Sequence, residues 1–120
     1  MHKRLAHTVL LTIVALALAG CLGPKPVVTD QKSFPPQAGS DQPFRVEAVI
    51  ENQGPGDGEV EVEVELQNKQ DNTVILQDSK NVEMKVDEKQ HVVFELNLPP
   101  SAKDMDPNNI EVQVEAHYPH

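Results

Sequence analysis

Four glutamates at alternate positions form the densest group of ionisable side chains in this sequence. Glutamate alternates with valine or leucine over residues 59–66, and the acids are Glu59, Glu61, Glu63 and Glu65. In a β-strand, side chains two residues apart share a face and lie about 6.6 Å apart. Such a row could bind a cation or a basic partner, but we favour a solvated outer face, because hard cations need ligands that converge from several segments. We expect Arg45 and Lys85, on neighbouring strands, to offset part of the repulsion.

A second group of oxygen ligands lies in the loop before the last predicted strand. Asp104, Asp106 and Asn108 alternate along this loop. Glu115 follows Asp104 by eleven residues, which resembles the spacing of a calcium-binding loop. The EF-hand loop also requires glycine at its sixth position, where this chain has Asn109, and a helix on each side. We therefore favour a solvated connecting loop, with an irregular calcium site as the alternative.

Histidines and serines are the remaining groups that could do chemistry. His117 and His120 flank Tyr118-Pro119, and His91 lies in a predicted strand without a third ligand nearby in sequence, so we predict no zinc site. None of the serines has the sequence context of a nucleophile elbow. The carboxylates lie along strand faces, without the burial that raises a catalytic pKa. The sequence therefore predicts no enzyme activity, no cofactor and no metal.

The charge balance excludes one class of partner. The chain has 120 residues, enough for one domain, with 19 acidic residues, 10 basic residues and a formal net charge of −9. All the acids follow residue 21. Proteins that bind nucleic acids neutralise phosphates with lysine and arginine. We therefore expect no nucleic-acid partner.

The first twenty residues have the organisation of a secretory signal. Lys3 and Arg4 precede an apolar run of eleven residues, Val9–Ala19, interrupted only by Thr12. A membrane-spanning helix needs roughly 20 apolar residues, whereas the apolar region of a signal peptide needs about 7–15. The run is therefore predicted to direct export and to be absent from the fold.

The single cysteine of the chain follows this run directly. Leu18-Ala19-Gly20-Cys21 resembles the lipobox of bacterial and archaeal lipoproteins. The resemblance implies that residues 1–20 are removed and that the Cys21 thiol carries a lipid, which anchors the protein to the membrane from outside. An ordinary signal peptide with an incidental cysteine is the alternative. In that family, aspartate after the cysteine implies retention on an inner membrane. This chain has Leu22 there, so the resemblance also allows sorting to an outer membrane if the host has one.

A proline-rich stretch separates the cysteine from the first strongly alternating segment. Residues 22–43 contain five prolines: Pro24, Pro26, Pro35, Pro36 and Pro43. Proline fixes φ and lacks an N–H, so it suits neither a helix nor a central strand. We predict that residues 21–43 form a semi-extended tether, in which Val27–Thr29 could pair as a short edge strand.

From Phe44 onward the apolar residues recur with period two, which predicts strands. The predicted segments, separated by turn-forming residues, are 44–50, 59–66, 73–76, 82–86, 92–98 and 110–116. Short alternating strands at this spacing predict an all-β antiparallel sandwich of immunoglobulin type over residues 44–120.

One stretch also resembles a known family. The alternating strand Val46–Glu51, the Asn52-Gln53-Gly54 turn and the valine-rich strand that follows are similar to CARDB modules, which are immunoglobulin-like domains associated with adhesion. The resemblance covers Phe44 to Tyr118. Together with the lipobox-like segment and the lack of a catalytic motif, it leads us to expect a lipid-anchored envelope module that binds proteins or surface polymers without catalysis. The alternative is a structural accessory subunit of a membrane-associated secretion or transport complex.

Overall fold

The computed structural model describes residues 22–118. The predicted signal segment, Cys21 and His120 lie outside the described residues. The strands are β1 (Pro26–Phe34), β2 (Phe44–Asn52), β3 (Gly58–Asn68), β4 (Val74–Met84), β5 (Lys89–Leu96) and β6 (Ile110–His117). Two short 3-10 helices, Pro100–Ala102 and Pro107–Asn109, lie between β5 and β6. Neither they nor any other helix within residues 22–118 could cross a membrane.

The strands form two antiparallel three-stranded sheets. Sheet A has the order β1-β2-β5, and sheet B has the order β4-β3-β6. In sheet A, Val46 lies opposite Phe94, and in sheet B, Val64 lies opposite Val114. The prediction of an all-β antiparallel sandwich is confirmed.

The core consists of the inward side chains of both sheets. Those of β2, β3 and β5 are buried: Phe44, Val46, Ala48, Ile50, Val60, Val62, Val64, Leu66, Val92, Phe94 and Leu96. Burying one such valine, leucine or phenylalanine contributes about 1.5–3 kcal/mol. The alternation in β3 therefore works as predicted, because its valines supply the core and its glutamates remain on the other face.

The predicted tether is wrong over residues 26–34, which form β1. This strand pairs with β2 from Pro26 opposite Asn52 to Phe34 opposite Arg45, with an irregularity between Val28 and Asp30. Pro26 is accommodated because it begins an edge strand, where a missing N–H disrupts little. The sequence pattern is weak here because most of β1 is exposed, so few of its positions need apolar side chains.

Most of the two segments predicted as separate strands, 73–76 and 82–86, belongs to the single strand β4, which runs from Val74 to Met84. The middle of β4 is polar and lacks apolar alternation, so the sequence pattern did not indicate one continuous strand. Asp78 and Lys80 lie opposite Val64 and Val62, on the core side of an edge strand. Charged residues that point inward on an edge strand discourage pairing with another molecule.

Lys80 also links the two sheets along the side of the sandwich where β4 and β5 approach each other. Its ammonium group donates to the carbonyl of Val93 in β5. The same group lies 5.3 Å from the centre of the Phe94 ring, in cation–π range. The lysine thus covers the core where β4 and β5 leave it open.

Asn52, the first residue of the Asn-x-Gly turn, is fully buried. Its Oδ1 accepts hydrogen bonds from the backbone N–H groups of Lys25 and Gly54, both at 3.0 Å. Its Nδ2 donates to the carbonyls of Gly56 at 2.9 Å and Lys85 at 3.1 Å. These hydrogen bonds tie together three segments that pass the end of β2. Separating any of them from Asn52 would leave a buried polar group unpaired, which costs about 1–3 kcal/mol.

Candidate functional site

The outer face of sheet B is strongly acidic. Strand register places seven glutamates on it: Glu59, Glu61, Glu63 and Glu65 from β3, Glu83 from β4, and Glu111 and Glu115 from β6. No lysine or arginine occupies an outward position on these three described strands. A folded sheet does not require such a concentration of one charge, so this face is the first candidate for interaction.

Like charges lie directly opposite each other across this face. Glu59 faces Glu83 on β4, and Glu63 faces Glu115 on β6. Such cross-strand pairs are destabilising. The expected offset by Arg45 is wrong, because Arg45 lies in sheet A, where its Nε is 2.8 Å from Glu47 Oε2. Lys85 lies beyond the end of β4, in the turn to β5.

Three side chains converge at the end of the β3–β6 ladder, where β6 finishes at His117. His117 lies opposite Glu61, and its Nε2 is 2.9 Å from Glu61 Oε1. Ligand atoms of Glu61, Glu63 and His117 all lie within 4.8 Å of one another. Imidazole nitrogen and carboxylate oxygen are both zinc ligands, so this trio could ligate a cation or share a proton.

The pKa of Glu63 reflects this crowding. It lies above its ordinary value, first because the carboxyl hydrogen-bonds with that of Glu61, and then through desolvation and the Glu61 charge. Charge on His117 acts in the opposite direction, and Glu115 raises the pKa further. The raised pKa therefore reflects the close approach of two carboxyls on a face with few positive groups.

A shallow groove of about 350 Å³ runs over the same face. Its polar lining consists mainly of Glu63, Glu65, Gln77, Ser79, Gln113 and Glu115. Gln77 Nε2 donates to Glu65 Oε1 at 3.1 Å and so orients one carboxylate. The lining suits a partner with cationic or hydrogen-bonding groups better than an apolar ligand, which requires a mainly apolar cavity.

The loop residues considered for calcium occupy a different region. Asp106 caps the Pro107–Asn109 helix, because its Oδ1 accepts from the N–H of Asn108 at 3.0 Å. Asp104 and Asn108 are exposed in the same connection. Glu115 lies five residues into β6, roughly 17 Å along the strand from its start, on the acidic face. The strand thus carries Glu115 away from the loop.

The convergence of His117 with Glu61 and Glu63 was not predicted. The glutamate row and the histidine were each visible in the sequence, but they are 54 or more residues apart. Only the β3–β6 register brings them together. The one available signal was the second alternation, Glu111 to His117, which shows that β6 also has a polar face.

Comparison with known proteins adds no relative. No family model matches the chain, and no curated protein matches it. The resemblances to lipobox-bearing lipoproteins and to CARDB modules therefore depend on the residues that carry them.

Proposed function

We propose that this protein is a lipid-anchored binding module of the cell envelope that acts without catalysis and binds a positively charged protein through the outer face of sheet B. The observation that carries the proposal is the set of seven glutamates on one face, with no lysine or arginine at an outward position of its three described strands. The lipobox-like segment ending at Cys21 supports export and anchoring.

Electrostatics explains why such a face favours binding. The carboxylates repel one another in the free protein, and a basic partner relieves this repulsion on association. A field of one sign also steers an oppositely charged partner and raises its association rate. The groove supplies amide and hydroxyl groups beside the carboxylates, so the partner can also be oriented by hydrogen bonds.

The strand order supports an immunoglobulin-like assignment for the module. The first, second and fifth strands form one sheet, and the third and last strands pair in the other. Immunoglobulin domains pair strands A, B and E and strands C and F in the same way. The Asn52-x-Gly54 turn that carries the CARDB resemblance has a structural role, since its asparagine holds three segments together.

Crosslinking and capture from intact membranes tests the proposal. We expect Glu63→Gln combined with Glu115→Gln to lose partners that the native protein captures, and raised salt to have the same effect. Glu51→Gln combined with Glu95→Gln is the matched control, because it removes equal charge from sheet A. Equal capture by both double variants would contradict the assignment of the binding face.

The accessory-subunit alternative makes a different prediction. It is favoured by two exposed apolar side chains, Phe34 and Val74, with 46% and 51% of their surface accessible. Both lie at the end of the sandwich opposite Leu22. Capture of one partner at fixed stoichiometry that depends on Phe34 and Val74, and not on Glu63 and Glu115, would replace our proposal with this one.

A further inference from the structure

The segment that follows Cys21 is packed against the domain. Pro24 is buried. The N–H of Lys25 donates to Asn52 Oδ1 at 3.0 Å, and the N–H of Gln53 donates to the carbonyl of Lys25 at 2.9 Å. Strand β1 begins at the next residue, Pro26. From residue 22 onward, therefore, no length of free chain precedes the fold.

Glycines in the turn between β2 and β3 make room for this segment. A Cβ at Gly56 would lie 1.9 Å from the carbonyl oxygen of Leu22, and one at Gly54 would lie 2.5 Å from the Lys25 nitrogen. Both distances are far below van der Waals contact, so a side chain at either position would displace the segment. The close approach of two backbones explains why glycine occurs here.

The topology places this segment at one end of the sandwich. We define the proximal end as the two turns at residues 53–57 and 85–88, together with residues 22–25 and the end of β6. The distal end comprises the connections 35–43, 69–73 and 97–109. Strands of 8–11 residues separate the two ends, which corresponds to about 26–37 Å.

We propose that the proximal end rests directly on the lipid bilayer, held there by the absence of a spacer between the lipidated cysteine and the fold. The inference rests on the proposed lipidation of Cys21. One peptide unit, about 3.8 Å, joins the Cα atoms of Cys21 and Leu22. A flexible tether over residues 22–43 would instead have allowed a separation of about 25 Å.

The surface of the proximal end fits a membrane interface. Leu22 and Val86 are exposed apolar side chains there, with 68% and 42% of their surface accessible. Its two turns and residues 22–25 carry three acids and two lysines: Asp57, Asp87, Glu88, Lys25 and Lys85. Because these charges nearly balance, anionic headgroups repel this end less than they would repel the outer face of sheet B. The surface that the proximal end contacts is therefore the membrane that holds the lipid anchor.

A site-specific fluorescence measurement tests this orientation. Cys21 is the single cysteine of the chain, so after lipidation an introduced cysteine is the one free thiol. Full-length Val86→Cys (proximal) and Gln70→Cys (distal) proteins are produced in a lipidating host and labelled with a thiol-reactive dye. Both are reconstituted in phosphatidylethanolamine–phosphatidylglycerol vesicles that contain a headgroup-linked quencher. We expect strong quenching at position 86 and emission at position 70 close to that in detergent.

Intact mass separates the two ways in which the inference can fail. Equal quenching at both positions in protein that carries the lipid would overturn the orientation and leave the anchor intact. A mass without lipid would overturn the anchor and the orientation together.

A linker variant tests the cause. Inserting a flexible glycine–serine linker of about 20 residues between Cys21 and Leu22 should preserve lipidation and reduce quenching at position 86 to the level at position 70. Unchanged quenching at position 86 would contradict the claim that the short connection sets the orientation.

Discussion

The outer faces of the two sheets differ in how they treat charge. On sheet A, Glu47 accepts from Arg45 Nε at 2.8 Å and lies 2.8 Å from His91 Nε2, while Lys89 lies 3.7 Å from Glu51. On the described strands of sheet B, the outward residues include seven glutamates, and His117 is the one outward side chain there that can carry a positive charge. Both faces come from the same alternation of apolar and polar residues. The fold constrains only the inward positions, so the excess of one charge on sheet B calls for an explanation outside the fold.

Surface ion pairs contribute little stability, which limits what sheet A gains from its pairing. Exposed pairs typically contribute about 0–1 kcal/mol. The difference between the faces therefore matters less for folding than for association, where a field of one sign acts on incoming partners. Sheet A presents an almost balanced surface, and sheet B presents an acidic one.

The outer faces of the two sheets differ as described only if β3 directs its valines inward, so removing one of these valines should give the largest effect. Val62 is fully buried. We expect Val62→Ala to lower the free energy of unfolding by roughly 1–3 kcal/mol, through lost burial and a residual cavity. Urea denaturation of a protein that spans residues 22–120 measures it. Val74→Ala is the control, since that valine is exposed, and an equal loss from both would contradict the assigned faces.

Removing carboxylates should affect the two faces in opposite directions. Glu47→Gln on sheet A breaks two pairs and should lower the free energy of unfolding by up to about 1 kcal/mol. Glu61→Thr combined with Glu63→Thr on sheet B should be neutral or stabilising, because it relieves repulsion and introduces a residue that favours strands. The same denaturation series decides it. A large loss from the double change would mean that these carboxylates have a bound partner or cation.

The raised pKa of Glu63 predicts a pH dependence with a definite sign. The folded state holds this proton more tightly than the unfolded chain, whose carboxyl titrates near 4.5. Glu63 therefore opposes folding increasingly as the pH rises from that value through its folded pKa. Glu63→Gln should raise the melting temperature at pH 7 relative to the native protein, and the gain should shrink towards pH 4.

Asp41 provides a control of opposite sign for this titration. Its pKa is lowered by the hydrogen bond from Lys103, so it stabilises the fold above about pH 3.8 and loses this effect as the pH falls. Asp41→Asn should lower the melting temperature slightly at pH 7, and the difference should vanish in acid. Curves of the same sign for Asp41→Asn and Glu63→Gln would show that the Glu61–Glu63 contact is not the cause.

The smallest effect is expected from divalent metal. Glu61, Glu63 and His117 supply three surface ligands, whereas structural zinc sites almost always have four. We expect added zinc to leave the melting temperature of the native protein unchanged within error. A rise that His117→Gln abolishes would instead make this cluster a metal site.

The local alternation of apolar and polar residues was enough to predict much of the fold. The alternation of valine and glutamate in β3 predicts one buried and one acidic face, because strand geometry allows only two directions for a side chain. The same alternation predicted strands β2, β5 and β6. It failed at β1, whose exposed residues need no apolar alternation, and in the middle of β4, where Asp78 and Lys80 occupy the core side of an edge strand.

Tertiary structure decided everything that depends on which strands are neighbours. The register of β3 against β6 places His117 beside Glu61 and Glu115 opposite Glu63. The side chain of Asn52 and the close approach of Leu22 to Gly56 fix the N-terminal segment to the end of the sandwich. These contacts join residues far apart in the chain, and the free energy that selects them comes from burying the core as a whole. The sequence alone therefore determined which faces exist, and the packing of the sheets determined what each face brings together.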